Sequence, residues 1–105
     1  MILRLWHGWT RPENAEAYER LLKEEVFPGI LAKQIEGFRQ IELLRRPDGA
    51  AVEFVTIMRF DALENVKAFV GKDYEVAYVP PAARKLLARF DERAQHYELR
   101  ERRLA

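Results

Sequence analysis

The chain contains no cysteine among its 105 residues. This absence excludes disulfide bonds, thiolate nucleophiles, iron–sulfur clusters and cysteine-ligated zinc. Long apolar runs are also absent, because the first apolar stretch is interrupted at Arg4 and no run approaches the roughly 18 residues of a membrane span. We therefore expect a protein with no membrane partner, and the cytoplasm is its expected location.

An excess of charge of one sign is lacking as well. The 18 Lys and Arg residues offset 17 Asp and Glu residues and leave a net charge of +1. A balanced chain creates no long-range field that would gather a polyanion, so we expect no nucleic-acid partner.

Histidine is scarce, since only His7 and His96 are present and they lie far apart in the chain. No close spacing of His, Asp and Glu suggests a metal site, so no metal is expected. No glycine-rich phosphate loop follows a predicted strand, which disfavours a nucleotide. We expect no cofactor.

The apolar pattern predicts four strands in a single domain that covers residues 1–105. The second and third strands should form a hairpin, because Pro47-Asp48-Gly49 is a typical turn sequence. The predicted strands cover residues 2–9, 38–46, 51–60 and 93–102.

The first predicted helix follows the first strand. Thr10 and Glu13 have the spacing of a capping box, and Pro12 suits a first helical turn because its missing N–H costs nothing there. Pro28-Gly29 is predicted to end this helix. A short apolar segment at residues 30–35 would then lead to the second strand.

The second helical region is predicted in pieces. Residues 61–64 resemble another capping box, and Gly71 should stop the helix that they open. Tyr74 and Tyr78, four residues apart, would share one face of a short helical continuation. Pro80-Pro81 would then start a last helix, which runs to about residue 90.

The order strand, helix, strand, strand, helix, strand predicts an α+β fold, the ferredoxin-like split βαβ arrangement with an antiparallel sheet and helices on one face. Apolar residues occur on both faces of the strands: Val52 and Phe54 alternate with Val55 and Ile57. A sheet that is apolar on both faces should be covered twice, and the commonest solution is a two-fold homodimer that packs sheet against sheet.

Short motifs spread over nearly the whole chain carry a family resemblance. They are Trp6-His7-Gly8, Gly37-Phe38, the stretch from Phe69 to Asp73, Ala77 with Pro80-Pro81, Phe90-Asp91 and His96-Tyr97-Glu98. Together they resemble the antibiotic biosynthesis monooxygenase-like family of dimeric α+β barrels. This resemblance implies a homodimer. It also implies an activity among cofactor-independent oxygenases of phenolic polycycles or quinols, although some relatives degrade haem and many have no known activity.

The chain departs from two groups within that family. Haem-degrading relatives use an asparagine on the first strand and a helical histidine, but here the first strand has no asparagine and residues 62–90 contain no histidine. Haem breakdown is therefore disfavoured. Phenol oxygenases of the family often carry a tryptophan and an asparagine near the end of the third strand, where this chain has Phe60 and then Asn65.

An oxygenase of this kind needs a dry pocket for a flat aromatic substrate, one base and one or two hydrogen-bond donors. We predict His96 as the catalytic base or donor, since histidine titrates near neutral pH. The alternative for His96 is a structural histidine bonded to a strand neighbour or across a dimer seam. Simple packing is the alternative for Trp6, Tyr74 and Tyr78. The predicted substrate-binding walls are Trp6, Phe60, Tyr74 and Tyr78.

Two further residues and the activity itself stay open. His7 adjoins Trp6 in a strand and so faces the opposite side. Arg59 has two interpretations, a site for an anionic group or a cross-strand ion pair with a residue such as Glu53. The leading hypothesis is a cofactor-free monooxygenase acting on a small aromatic or quinone-like compound with dioxygen. The alternative is a non-catalytic homodimer that binds a hydrophobic small molecule.

Overall fold

A five-stranded antiparallel sheet frames the protein, whose computed structural model describes residues 1–105. The sheet order is β2-β3-β1-β4, and β5 also pairs with β1. Helices cover one face, so the predicted ferredoxin-like α+β class is confirmed. The strands are β1 (Ile2–Thr10), β2 (Phe38–Asp48), β3 (Ala51–Phe60), β4 (Arg89–Phe90) and β5 (Gln95–Glu98).

The helical elements lie between these strands. They are α1 (Pro12–Leu21), a π-helical turn (Leu22–Val26), α2 (Phe27–Ala32), α3 (Leu63–Val70) and α4 (Pro81–Leu86). No helix is both long enough and apolar enough to cross a membrane.

Strand β1 is the centre of the sheet. It pairs with β3 along its whole length, and β4 and β5 share its other edge. Side chains alternate across a strand, so Arg4, Trp6 and Thr10 are buried under the helices while their neighbours lie on the other side. That uncovered side is called the open face, and its larger apolar residues are Leu3, Leu5, Trp9, Leu44, Val55, Ile57 and Tyr97.

The prediction that Pro28-Gly29 ends the first helix is wrong. The helix continues through the π-helical turn into α2 and ends at Ala32. Pro28 has no N–H and its ring crowds the preceding turn. Here the Phe27 N–H bonds five residues back, to the Leu22 carbonyl, and the wider turn accommodates the proline inside a continuous helix.

The helical continuation predicted for Tyr74 and Tyr78 is also absent. This segment pairs instead with residues 92–94: Val76 forms a bridge with Arg93, and the Ala77 N–H donates to the Glu92 carbonyl. These long-range hydrogen bonds outweigh the local helical spacing. The two tyrosines therefore do not share a helical face.

The same pairing shortens the last strand. Residues 93–102 were predicted as one strand, but only residues 95–98 pair there, and residues 89–90 form a separate short strand. Between them, the Ala94 N–H donates to the Glu75 carbonyl rather than to β1. The edge of β1 opposite β3 thus pairs with two short strands, β4 and β5, instead of one long strand.

Neither helix start uses the side-chain cap that was predicted for it. Thr10 is the last residue of β1 and is fully buried, so α1 begins without a side-chain cap, although Pro12 does occupy the first turn as predicted. At α3 the Asn65 side-chain oxygen accepts the Ala62 N–H at 3.0 Å. Asp61 instead forms an ion pair with Arg39.

The buried core lies between the sheet and the helices in two clusters. One joins α1 and α4 to β3, and the other joins α2 and α3 to β3. The first contains Ala15, Tyr18, Leu22, Val52, Phe54 and Ala83, and the second contains Ile30, Met58, Phe60 and Val66.

Alanine substitutions at three glycines distinguish the cost of backbone strain from the cost of steric overlap. Gly37 has a φ of +78°, and a Cβ there would overlap the Asn65 side-chain amide. We expect Gly37→Ala to lower the free energy of unfolding by at least about 2 kcal/mol, since both a left-handed φ and a clash oppose alanine. Urea unfolding followed by circular dichroism measures the change.

The other two glycines are the controls for this measurement. Gly49 has a φ of +61° but open space around it, so Gly49→Ala should cost only the strain, about 1 kcal/mol. Gly29 is helical with open space, and alanine there should be neutral or stabilising. Equal costs at Gly37 and Gly49 would contradict a steric role for Asn65.

Candidate functional site

An apolar cavity lies between the helix-covered face of the sheet and the helices. Twelve of its fourteen lining residues are hydrophobic, and no histidine or carboxylate is among them. The lining consists of Arg4, Trp6, Tyr18, Leu22, Val26, Phe27, Ile30, Ile41, Thr56, Met58, Phe69, Tyr78, Val79 and Ala83.

The cavity is narrow. Its total empty space, including the open mouth, is about 470 Å³, but only about 40 Å³ is open to the centres of water molecules. That inner space holds about three waters. An aromatic ligand therefore has to displace lining side chains or extend into the mouth. Tyr78 marks that mouth, because it is the only exposed lining residue.

The helix next to Pro28 supplies one wall. Leu22 and Val26 of the π-helical turn line the cavity, and Phe27 and Ile30 of α2 continue the same wall. A π-helical turn shifts the side chains after it relative to a regular α-helix and often occurs near functional sites. The irregularity that accommodates Pro28 thus also shapes the cavity.

Arg4 is the only charged side chain in the lining. It is 3% exposed, and its guanidinium donates from Nη1 to the Tyr74 carbonyl at 2.5 Å and from Nη2 to the Val76 carbonyl at 2.8 Å. Burial away from water disfavours the cation and lowers the pKa of Arg4 to about 10. It is still protonated at neutral pH.

His96 lies directly behind Arg4. The two residues face each other in the register of β1 and β5, and Arg4 Nη1 is 3.0 Å from His96 Nε2. Arginine can only donate, so Nε2 accepts and the ring proton sits on Nδ1. Burial, and then the Arg4 charge, lower the pKa of His96, with a smaller opposing effect of Glu75. The imidazole is therefore neutral at pH 7.

This geometry limits what His96 can do. Its basic nitrogen is occupied by Arg4, its Nδ1–H is buried without a hydrogen-bond partner, and its ring is outside the cavity lining. Tyr74 packs edge-on against it, with ring centroids 5.1 Å apart, and also lies outside the lining. His96 and Tyr74 form a layer behind Arg4.

The other predicted walls divide between the cavity and the core. Trp6 and Tyr78 line the cavity; the Trp6 indole donates to the Asp91 carbonyl at 2.6 Å, and Tyr78 packs on Phe69 with centroids 5.0 Å apart. Phe60 is fully buried behind the lining, where its ring stacks on Phe69 at 6.3 Å.

His7 and Arg59 lie on the opposite side of the sheet from the cavity. His7 Nδ1 is 2.8 Å from Glu53, which also pairs with Arg46 at 2.6 Å. Arg59 forms a cross-strand ion pair, but with Glu42 at 3.5 Å rather than with Glu53. No group of three or more His, Asp or Glu side chains is placed to hold a metal ion.

Sequence reasoning overlooked Arg4 and treated it only as an interruption of an apolar stretch. A signal was present, because Arg4 is two residues from Trp6 and shares its side of a strand.

The His96 geometry predicts a pH effect on stability. The pKa of His96 should lie below the reference value of 6.5 in the folded protein. The unfolded chain then binds the proton more readily, so the free energy of unfolding should fall as the pH drops below that value and recover at higher pH. Histidine ¹H–¹⁵N spectra report the midpoint and the tautomer, and urea unfolding at about pH 5 and about pH 8 reports the stability.

Two glutamine variants separate the histidines in this experiment. His96→Gln should reduce the difference in stability between the two pH values, whereas His7→Gln should leave the His96 contribution in place. A His96 midpoint above 6.5, or a neutral form protonated at Nε2, would contradict the assigned hydrogen bond.

Comparison with known proteins finds the fold in solved structures. A "putative antibiotic biosynthesis monooxygenase" from Bacillus cereus superposes with a TM-score of 0.64 at 15% identity, covering 99% of this chain and 95% of that one. Rv0793 from Mycobacterium tuberculosis superposes with a TM-score of 0.62 at 17% identity, covering 96% of each chain. No protein-family profile and no curated protein sequence matches the chain. The chain thus has the fold of these two proteins, the one that the resemblance to the antibiotic biosynthesis monooxygenase-like family implied.

Proposed function

We propose that the protein is a cofactor-independent, monooxygenase-like enzyme that acts on a small phenolic or quinone-like aromatic compound with dioxygen. The observation that carries this proposal is an apolar cavity whose only charged lining residue, Arg4, contacts the neutral His96. The fold shared with the Bacillus cereus protein supports the same class of reaction.

The cavity supplies what such a reaction needs. Trp6, Phe69 and Tyr78 offer aromatic surfaces for a flat ring. A dry interior strengthens the attraction between Arg4 and a phenolate oxygen, which favours the electron-rich anion that reacts with dioxygen. A ring CH₂ that becomes a carbonyl keeps one oxygen atom, and the other leaves as water with the two hydrogens. The substrate supplies all the electrons, so no reductant is required.

Three predicted site residues act from behind the lining in this proposal. His96 accepts a hydrogen bond from Arg4 and positions the guanidinium, and the Tyr74 carbonyl fixes its other side. Phe60 supports the Phe69 wall by stacking. The contribution of His96 is then that of a positioning residue rather than a base.

One observation favours the alternative, a non-catalytic protein that binds a hydrophobic small molecule. No histidine or carboxylate lines the cavity, and the acceptor nitrogen of His96 is already used by Arg4. Binding needs only the apolar walls and one cation, whereas turnover needs a route for the phenolic proton.

Oxygen uptake distinguishes the two functions. Purified protein should consume oxygen faster than autoxidation with at least one member of a panel of anthrones, naphthols and hydroquinones. His96→Ala should slow this uptake by at least about tenfold, because Arg4 loses its orienting acceptor. His96→Gln should retain more activity, since an amide oxygen can still accept from Arg4.

His7→Ala is the matched control, because His7 is the other histidine and lies on the open face, away from the cavity. Its uptake should equal that of the wild type. If no panel compound exceeds autoxidation while several raise the melting temperature, the binding function replaces the enzyme.

The proposal includes a two-fold homodimer formed through the open face. Leu44 is 48% exposed there and faces Val55 across the strand pair, while Leu5 and Ile57 pair with each other farther along the same face and are half-buried. The ion pair of Arg59 with Glu42 lies toward one end of this apolar strip. An apolar strip of this kind is suited to burial against a second copy of itself.

Two leucines of similar exposure test this assembly. Leu44→Asp should halve the particle mass measured by analytical ultracentrifugation, from twice the chain mass of 12.4 kDa to that mass, because a carboxylate would be buried in the interface. Leu31, 56% exposed in α2, is the control, and Leu31→Asp should stay dimeric. A wild-type mass of one chain at micromolar concentration would disprove the dimer.

A further inference from the structure

The positive charge of Arg4 has no negative partner within the protein. Its polar contacts are two main-chain carbonyls and a neutral imidazole. The nearby Glu75 is instead paired with the exposed Arg93 at 3.2 Å. A buried guanidinium without a carboxylate is costly, because burial removes its hydration and nothing returns the charge interaction.

The guanidinium also has hydrogen-bonding capacity to spare. It carries five N–H donors, and the three contacts of Arg4 use three of them. Two donors therefore have no acceptor in the protein. Arg4 lines the cavity, so a ligand bound there can take these donors. Paired donors on arginine match the oxygens of a carboxylate, and a single phenolate oxygen can accept from either.

A second unpaired cation lies near the mouth. The ammonium of Lys33 is exposed and sits 4.8 Å from the ring centroid of Tyr78 and 5.6 Å from that of Phe69. Arg4 is 5.9 Å from the same Phe69 centroid. A wall of the cavity is thus flanked by two positive charges, and no carboxylate lines the cavity to offset them.

A purely structural role for Arg4 would require neither its positive charge nor its unused N–H donors. Its hydrogen bonds to the Tyr74 and Val76 carbonyls attach that segment to β1. Neutral donors would satisfy both carbonyls without the cost of burying a charge. The charge itself, and the donors that remain, are left unexplained by the attachment alone.

We infer that the cavity selects organic anions: its ligand is a compound of one or two aromatic rings whose carboxylate or phenolate oxygen pairs with Arg4, with Lys33 attracting the anion at the mouth. This inference deepens the proposed function by naming the charge of the substrate, and it rests on that function only for the aromatic character of the ligand.

Matched probes of equal shape test the charge. Calorimetry in oxygen-free buffer compares benzoate with benzamide and 1-naphthoate with 1-naphthamide on the full chain. The wild type should bind the better carboxylate at least about tenfold more tightly than its amide. Arg4→Gln, which keeps donors but not the charge, should lose this preference, and Arg4→Lys should keep its direction.

Surface variants control for general charge effects. Lys33→Met should weaken carboxylate binding and its salt dependence, since it removes the charge at the mouth. Lys72→Met removes an exposed charge outside the lining and should change neither. Circular dichroism and melting temperature confirm that each variant is folded.

The binding results either support the inference of anion selectivity or overturn it. Equal binding of acid and amide by the wild type, no binding of either at millimolar concentration, or a preference that survives in folded Arg4→Gln would overturn the inference and leave Arg4 a structural link. If Arg4→Gln does not fold, the wild-type preference and its loss in high salt decide the question. Because dioxygen is excluded, anion selectivity can hold while oxygen uptake fails. The inference and the proposed enzyme can therefore fail independently of each other.

Discussion

The hydrogen bonds of one buried arginine organise the site. Arg4 connects the central strand to the Tyr74 and Val76 carbonyls and to His96 on β5. The segment that it holds pairs in turn with residues 92–94, which divides the fourth position of the sheet into two short strands. The same segment leads to Tyr78 at the mouth of the cavity. Removing the guanidinium would therefore affect the wall, the edge of the sheet and the orientation of the histidine together.

Irregular backbone shapes the rest of the cavity. The π-helical turn that accommodates Pro28 contributes Leu22 and Val26 to the lining, and the non-helical segment before α4 contributes Tyr78 and Val79. The ferredoxin-like framework itself is shared with proteins only 15–17% identical to this chain. A framework does not specify chemistry, so any activity depends on the residues of these irregular segments and on Arg4.

Sequence reasoning succeeded where a pattern is repeated locally. Loosely alternating runs of β-compatible side chains identified β1 and β3 to within a residue, and a turn sequence identified the hairpin between β2 and β3. Gly71, with a φ of +98°, ends α3 as predicted. The failures occurred where distant residues decide: the bridge from Val76 to Arg93 overrode a helical spacing, and a change to π-type hydrogen bonding carried a helix through Pro28.

Which residues of a strand share one side was determined by the sequence alone, because side chains alternate across a strand whatever packs against it. That rule already places Arg4 on the same side of β1 as Trp6. Only the tertiary structure decided that Tyr74 packs behind the arginine, that Phe60 lies in the core and that the acceptor nitrogen of His96 is occupied. These outcomes depend on contacts between residues from opposite ends of the chain, and no local pattern encodes which buried donor will meet which acceptor.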